Sequence, residues 1–205
     1  MLETLSAWLG APAFTLAGYA ASRAELIAAL LGVWMVVCNI RVNPLAWPLA
    51  ITSSALYALV FHAAGLHGNA WLQGLFIVVA LWGWWQWLRG AGADGAALRV
   101  GRLGARARLL ALLGWLLLWP LLLVALNDEF NPVTAADAFT ASGSVIGQLL
   151  LARKRLENWW TWIAVNTVGI VLFASQQLWL TVALYLLFLV MAIAGARAWR
   201  RLAAA

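Results

Sequence analysis

A chain of 205 residues that is 65% hydrophobic and 10% charged, with a mean hydropathy of +0.90, lies outside soluble globular composition and reads as a membrane protein. Its net charge of +6 would suit nucleic acid, but the basic residues sit between apolar runs, where they orient a membrane chain. The single Cys38 excludes an internal disulfide and a cysteine-based metal cluster.

Residues 5–20 come first in the chain and are apolar, but Gly10, Pro12 and Gly18 interrupt them. An interfacial or packed N-terminal helix is expected within residues 1–23, since an eighth span would put both termini inside. A secretory signal is not expected, because the first 20 residues carry Glu3 and no positive cluster. Seven spans follow, at 24–40, 45–63, 69–88, 109–127, 134–152, 158–175 and 178–198. Joints fall at Asn43-Pro44, Asn127-Asp128-Glu129, Asn131-Pro132 and Ser175-Gln176-Gln177. The fifth span reads as the weakest by hydropathy, with Thr140, Ser142, Ser144 and Gln148. Such a segment faces protein or a cavity rather than lipid.

Charge sets an orientation. Twelve of the thirteen basic residues fall on one side of these spans, leaving Arg23 on the other with Glu3, Glu25, Asp128 and Glu129. The N-terminus is therefore expected outside and the C-terminus in the cytoplasm.

The chain also repeats itself at an offset of 112 residues without a gap. Arg41 falls on Arg153, Trp47 on Trp159, Phe61 on Phe173, Phe76 on Phe188, Gly83 on Gly195 and Trp87 on Trp199. Residues 24–88 and 134–199 form two three-helix units, with a basic cytoplasmic loop and a connecting helix at 89–133 and a tail at 200–205. An odd connector gives both units one orientation, so the expected architecture is an all-α membrane protein of seven helices in 3+1+3 parallel repeats, SWEET-like. No P-loop, GxSxG or HExxH motif occurs, so neither a cofactor nor a metal is expected and the chain does not read as an enzyme.

Two stretches carry a resemblance. WPLAITSSALYALVFHAAGLHGNAWLQGLFIVVALWGWWQW in the first half, and ENWWTWIAVN followed by LYLLFLVMAIAGARAW in the second, resemble the PnuC-type vitamin transporters over residues 24 to 199. The resemblance implies a bacterial inner-membrane facilitator moving nicotinamide riboside, with related branches carrying thiamine or riboflavin, and a homo-oligomer, a trimer. The family's WxxxN signature maps onto Trp162 and Asn166. Leu66-His67-Gly68-Asn69 departs from the family's Leu-Tyr-Gly-Asp before the third helix.

The residues themselves supply candidates. Trp159, Trp162 and Asn166 share one face of the sixth helix, and Asn166 lies about 12 Å from its inner end, near mid-bilayer. An amide there needs a partner in protein or in a wet cavity. Asn166 pairing a substrate's polar edge while Trp162 stacks its ring is one reading; an interhelical hydrogen bond is the plainer one. Gln73 and its repeat-mate Tyr185 are the second pair, expected on opposite walls of one cavity. Trp47 and Trp159 are candidates for an inner gate, and Ser54, Tyr57 and Asn39 for its lining, with Ser53 beside Ser54. A delocalised cation suits tryptophan, at about 0.5–2 kcal/mol per contact. Asp137 is read as a helix-start residue. Trp82, Trp84, Trp85, Trp87 and Trp199 are read as an interfacial belt, Trp115 and Trp119 as packing or lipid-facing, and His62 and His67 as loop residues. Three function classes follow: a passive vitamin carrier, the substrate-binding subunit of an energy-coupled importer, and a lipid-modifying enzyme. The repeat and the lack of acidic or histidine clusters favour the first.

Overall fold

The computed structural model describes residues 8, 10–16, 19–63, 67–91, 95–126 and 130–204. Seven helices match the seven expected spans to within a few residues. They are α1 (Arg23–Ile40), α2 (Ala46–Ala63), α3 (His67–Arg89), α4 (Ala105–Leu126), α5 (Pro132–Ala152), α6 (Glu157–Ser175) and α7 (Trp179–Leu202). Before them, β1 (Pro12–Leu16) and β2 (Tyr19–Ser22) pair as antiparallel strands. This corrects the helix expected across 5–20, of which only Trp8 and Gly10 are helical among the described residues. Pro12 cannot donate within a helix, and Phe14, Thr15 and Tyr19 favour extended backbone.

Capping residues set the starts. Ser22 and Glu25 exchange hydrogen bonds with each other's backbone N–H at the head of α1. Asn131 accepts from the N–H groups of Val133 and Thr134, and Pro132 opens α5. Asp137 stands beyond that first turn, so it is not the helix-start residue it was expected to be.

Four helices, α1, α4, α5 and α7, are each long and apolar enough to cross a membrane, and α2 contributes the shorter apolar stretch Ala46–His62. Half of the α5 window is buried, far more than in the other three, as its hydroxyls and amide foretold. It is not the weakest by hydropathy, however. Helices α3 and α6 fall below it because tryptophans, Gln73, Gln86, Asn158 and Asn166 interrupt their apolar runs.

The helices close into a ring. Helix α1 packs on α2, α2 on α3, α3 on α5, α5 on α6, α6 on α7, and α7 back on α1, while α4 lies outside against α5. Trp115 and Trp119 make that last contact, their Nε1 groups donating to Phe139 O at 3.2 Å and Ala135 O at 2.8 Å.

The 112-residue offset recurs in the geometry. Val42 and its mate Lys154 both turn at positive φ, 54° and 50°, after α1 and α5. Asn43 N–H donates to Cys38 O as Arg155 N–H donates to Leu150 O, both at 2.9 Å. Trp47 meets Trp87 edge-on at 5.4 Å, and Trp159 meets Trp199 edge-on at 5.6 Å, each pair with an 87° interplanar angle. The rings of Trp47 and Trp159 lie against the bare backbones of Gly83 and Gly195, where a side chain would collide with them. Trp87 Nε1 donates to Leu151 O at 3.1 Å and Trp199 Nε1 to Asn39 O at 3.0 Å, so each half bonds the other through the same pair of positions. Trp87 and Trp199 are therefore core residues, 7% and 0% exposed, and not members of an interfacial belt; Trp82 and Trp85 do face outward.

The basic loop is tied down beside this core. Gly101 exchanges backbone bonds with Lys154 and Leu156, and Lys154 Nζ donates to Leu98 O at 2.9 Å. Burial lowers the Lys154 pKa below its ordinary value. Glu157 accepts from Leu103 N–H at 3.1 Å and pairs with Arg108 Nε at 2.9 Å. Glu157→Ala is expected to accelerate amide hydrogen exchange at Leu103 while costing under about 1 kcal/mol of stability, since Arg108 is half exposed. Unchanged exchange there would show that the loop is held by other contacts.

Candidate functional site

A cavity of about 140 Å³ opens between α1, α5, α6 and α7. Helix α6 supplies its aromatic-amide wall, because Trp159, Trp162 and Asn166 recur at helical spacing and all three face inward. Asn158 joins them from the first turn of α6. Helix α7 adds Tyr185 and Phe188, α5 adds Ser144 and Gln148 one turn apart, and α1 adds Val36 and Asn39.

Two glycines shape this wall. A Cβ at Gly147 would lie 3.1 Å from Trp162 Cε2, so the bare backbone of α5 is what lets that indole approach so closely. A Cβ at Gly169 would come within 2.5 Å of the Tyr185 ring, which packs on this face of α6 with Phe173, one turn further on, at a 4.8 Å centroid distance. Gly147→Ala is expected to displace Trp162 by a few tenths of an ångström and weaken ligand binding severalfold without unfolding the protein. A ligand titration checks it, and undiminished affinity would mean that Trp162 is not in contact.

The polar groups are unusually unsatisfied. Asn166 is 5% exposed and Gln148 7%, and no hydrogen bond reaches either side chain among the described residues. Asn39 Oδ1, Asn158 Oδ1 and Trp159 Nε1 are buried without a partner, although Asn158 Nδ2 donates to Arg155 O at 2.6 Å. Buried amides are normally paired, so a cavity that collects several unpaired ones is built to take hydrogen bonds from a guest or from water. None of the described residues lining it is charged. The arrangement offers ring faces for stacking and both donors and acceptors for a polar edge.

The structure thus brings Trp162, Asn166, Tyr185, Trp159 and Asn39 together. It does not bring in Gln73, Ser54, Tyr57 or Trp47. Trp47 is fully buried against Gly83 and Trp87, Tyr57 stacks on Phe61 at 5.9 Å, and Gln73 is not among the residues that line the cavity with its mate Tyr185. Ser53 Oγ donates to Ala28 O, which is a packing role. The side chains of His67 and Asn69 lie outside the described residues. Gln148 and Asn158 are additions to the site, and the first was signalled by polarity on one face of the fifth span. The repeat explains the lopsided outline. Val36 and Gln148 are mates, as are Asn39 and Leu151, and all four line the cavity, whereas the mates of Trp162 and Asn166 are the small Ala50 and Ser54.

A closed ring of apolar helices around an uncharged, amide-rich cavity defines a multi-pass membrane transporter of small molecules. The crystal structure of the vitamin B3 transporter PnuC has this fold, with a TM-score of 0.70 at 22% identity over 87% of this chain and 81% of that one. Residues 22–201 match the family described as nicotinamide mononucleotide transporter, and the chain belongs to that family. Among its relatives, the riboflavin/roseoflavin transporter RibM of Streptomyces davaonensis is 25% identical over 94% of this chain and 91% of its own. The nicotinamide riboside transporter PnuC of Escherichia coli is 24% identical over 70% of this chain and 71% of its own.

Proposed function

We propose that this protein is a passive carrier that equilibrates nicotinamide riboside across the bacterial inner membrane, with cytoplasmic phosphorylation trapping the cargo. The N-terminus lies outside and the C-terminus inside, and the two three-helix units are parallel repeats in the SWEET manner. The observation that carries this reading is the set of unpartnered amides of Asn166, Gln148 and Asn39 beside the Trp162 and Tyr185 rings. A carboxamide-bearing pyridinium with a ribose complements those groups: the amides meet carboxamide and hydroxyls, and the rings meet the delocalised cation. An uncharged lining binds such a cation without a deep well, which suits a carrier that must release it.

Riboflavin is the second reading, favoured by the near-complete coverage of the riboflavin relative and by a lining that supplies no counter-ion. Calorimetric titration of the purified protein with nicotinamide riboside, nicotinamide mononucleotide, thiamine and riboflavin tests the two. Tightest binding of nicotinamide riboside supports the first, tightest binding of riboflavin replaces it with the second, and binding of neither removes both.

A further inference from the structure

A second cavity, of about 220 Å³, runs between α4, α5 and α6 on the outside of the helix ring. Its walls are apolar, with Leu112 and Trp115 of α4 facing Ile146 and Leu150 of α5. Its mouth is polar and lies at the basic end of the molecule, where Arg108, Glu157 and Trp160 border it. The Arg200 guanidinium sits 5.1 Å above the Trp160 ring, and Arg108 is paired through Nε with Glu157. The mouth thus carries the Arg108–Glu157 pair, with the Arg200 guanidinium beside it on Trp160, which leaves it with net positive charge. Below it, Trp115 lies about 10 Å further along α4 than Arg108, so the apolar part reaches well into the hydrocarbon layer.

We propose that this groove seats one acyl chain of an anionic phospholipid, with the lipid phosphate held at Arg108 and Arg200. Apolar walls below a cationic rim at headgroup depth match the two ends of such a lipid, and guanidinium is the group best suited to a phosphate. The vitamin is the wrong guest here: the hydroxyl and the carboxylate at the rim already have partners, Thr161 Oγ1 donating to Glu157 O and the Glu157 carboxylate accepting from Leu103 N–H and Arg108 Nε. A two-fold contact between copies at this groove is disfavoured, because it would bring the same basic rim against this one.

Native mass spectrometry tests the site on the full chain released from nanodiscs of equal phosphatidylglycerol and phosphatidylcholine. The wild type is expected to retain phosphatidylglycerol preferentially. Arg200→Gln and Arg108→Gln should each lower that preference about fivefold, the effect of one basic residue near a lipid surface. Leu112→Trp should fill the groove and abolish retention of either lipid. Equal retention of the two lipids by the wild type overturns the proposal, as does retention unaffected by Leu112→Trp. A changed oligomeric mass in Leu112→Trp without loss of lipid would also overturn it, by showing that a second copy covers the groove. If Leu112→Trp does not fold, Arg200→Gln alone decides the matter, since its side chain is exposed and an unaltered preference contradicts the assignment.

Discussion

Asn166→Ala is expected to lower vitamin affinity about thirtyfold while leaving the thermal midpoint almost unchanged. The two halves of that expectation rest on one observation. The Asn166 side chain is buried on α6 yet hydrogen-bonds to nothing among the described residues, so its removal leaves no orphaned protein partner. If instead it were an interhelical tie, alanine would destabilise the fold. Two hydrogen bonds to a ligand amide contribute about 2 kcal/mol net, which is roughly thirtyfold in dissociation constant. Trp162→Ala should do about as much, since stacking on an indole contributes about 1–3 kcal/mol. Calorimetry and a melting curve on the same samples read both quantities. Wild-type affinity in both variants would sink the site, and a large loss of stability in Asn166→Ala would return that residue to a structural role.

Trp199→Ala carries the largest expected cost to stability, about 3–5 kcal/mol. Its side chain is fully buried, packs on Trp159 and Trp87, and donates to Asn39 O across the junction between the halves. Trp199→Phe separates the hydrogen bond from the packing and should cost about 1–2 kcal/mol, chiefly by leaving that carbonyl unpaired. Trp87→Phe should cost a similar amount, because Trp87 makes the corresponding bond to Leu151 O. Thermal or denaturant unfolding in detergent measures all three. If the two phenylalanine variants were as stable as the wild type, the crossing bonds would not hold the halves together. Because Asn39 carries one of the accepting carbonyls and its side chain lines the cavity, the same variants should also loosen the inner end of the site.

Much of this architecture was legible because membranes impose few solutions. Apolar length located seven helices, and the constant offset matched Trp47 with Trp159 and Gly83 with Gly195, though not that each tryptophan packs on the glycine of its own half. Helical periodicity likewise placed Trp159, Trp162 and Asn166 on one wall. The failures have a common cause, which is that depth along a span does not reveal direction around it. Trp87 and Trp199 sit at belt depth but point into the core, and Gln73 shares a register with Tyr185 without sharing its cavity. Symmetry misled there. It predicts equal contributions from both halves, whereas α1 is the sole helix of the first half among the described residues lining the cavity and α5, α6 and α7 supply the rest. The N-terminal hairpin was missed because apolar residues in short runs carry no period that separates strand from helix.

The most direct test of the carrier reading is uptake of radiolabelled nicotinamide riboside into liposomes containing only this protein. Equilibration of label to the external concentration, without nucleotide or an ion gradient and slowed by Trp162→Ala, is the predicted result. Failure to take up label unless a partner ATPase is added would contradict it and make the chain the binding subunit of an energy-coupled importer.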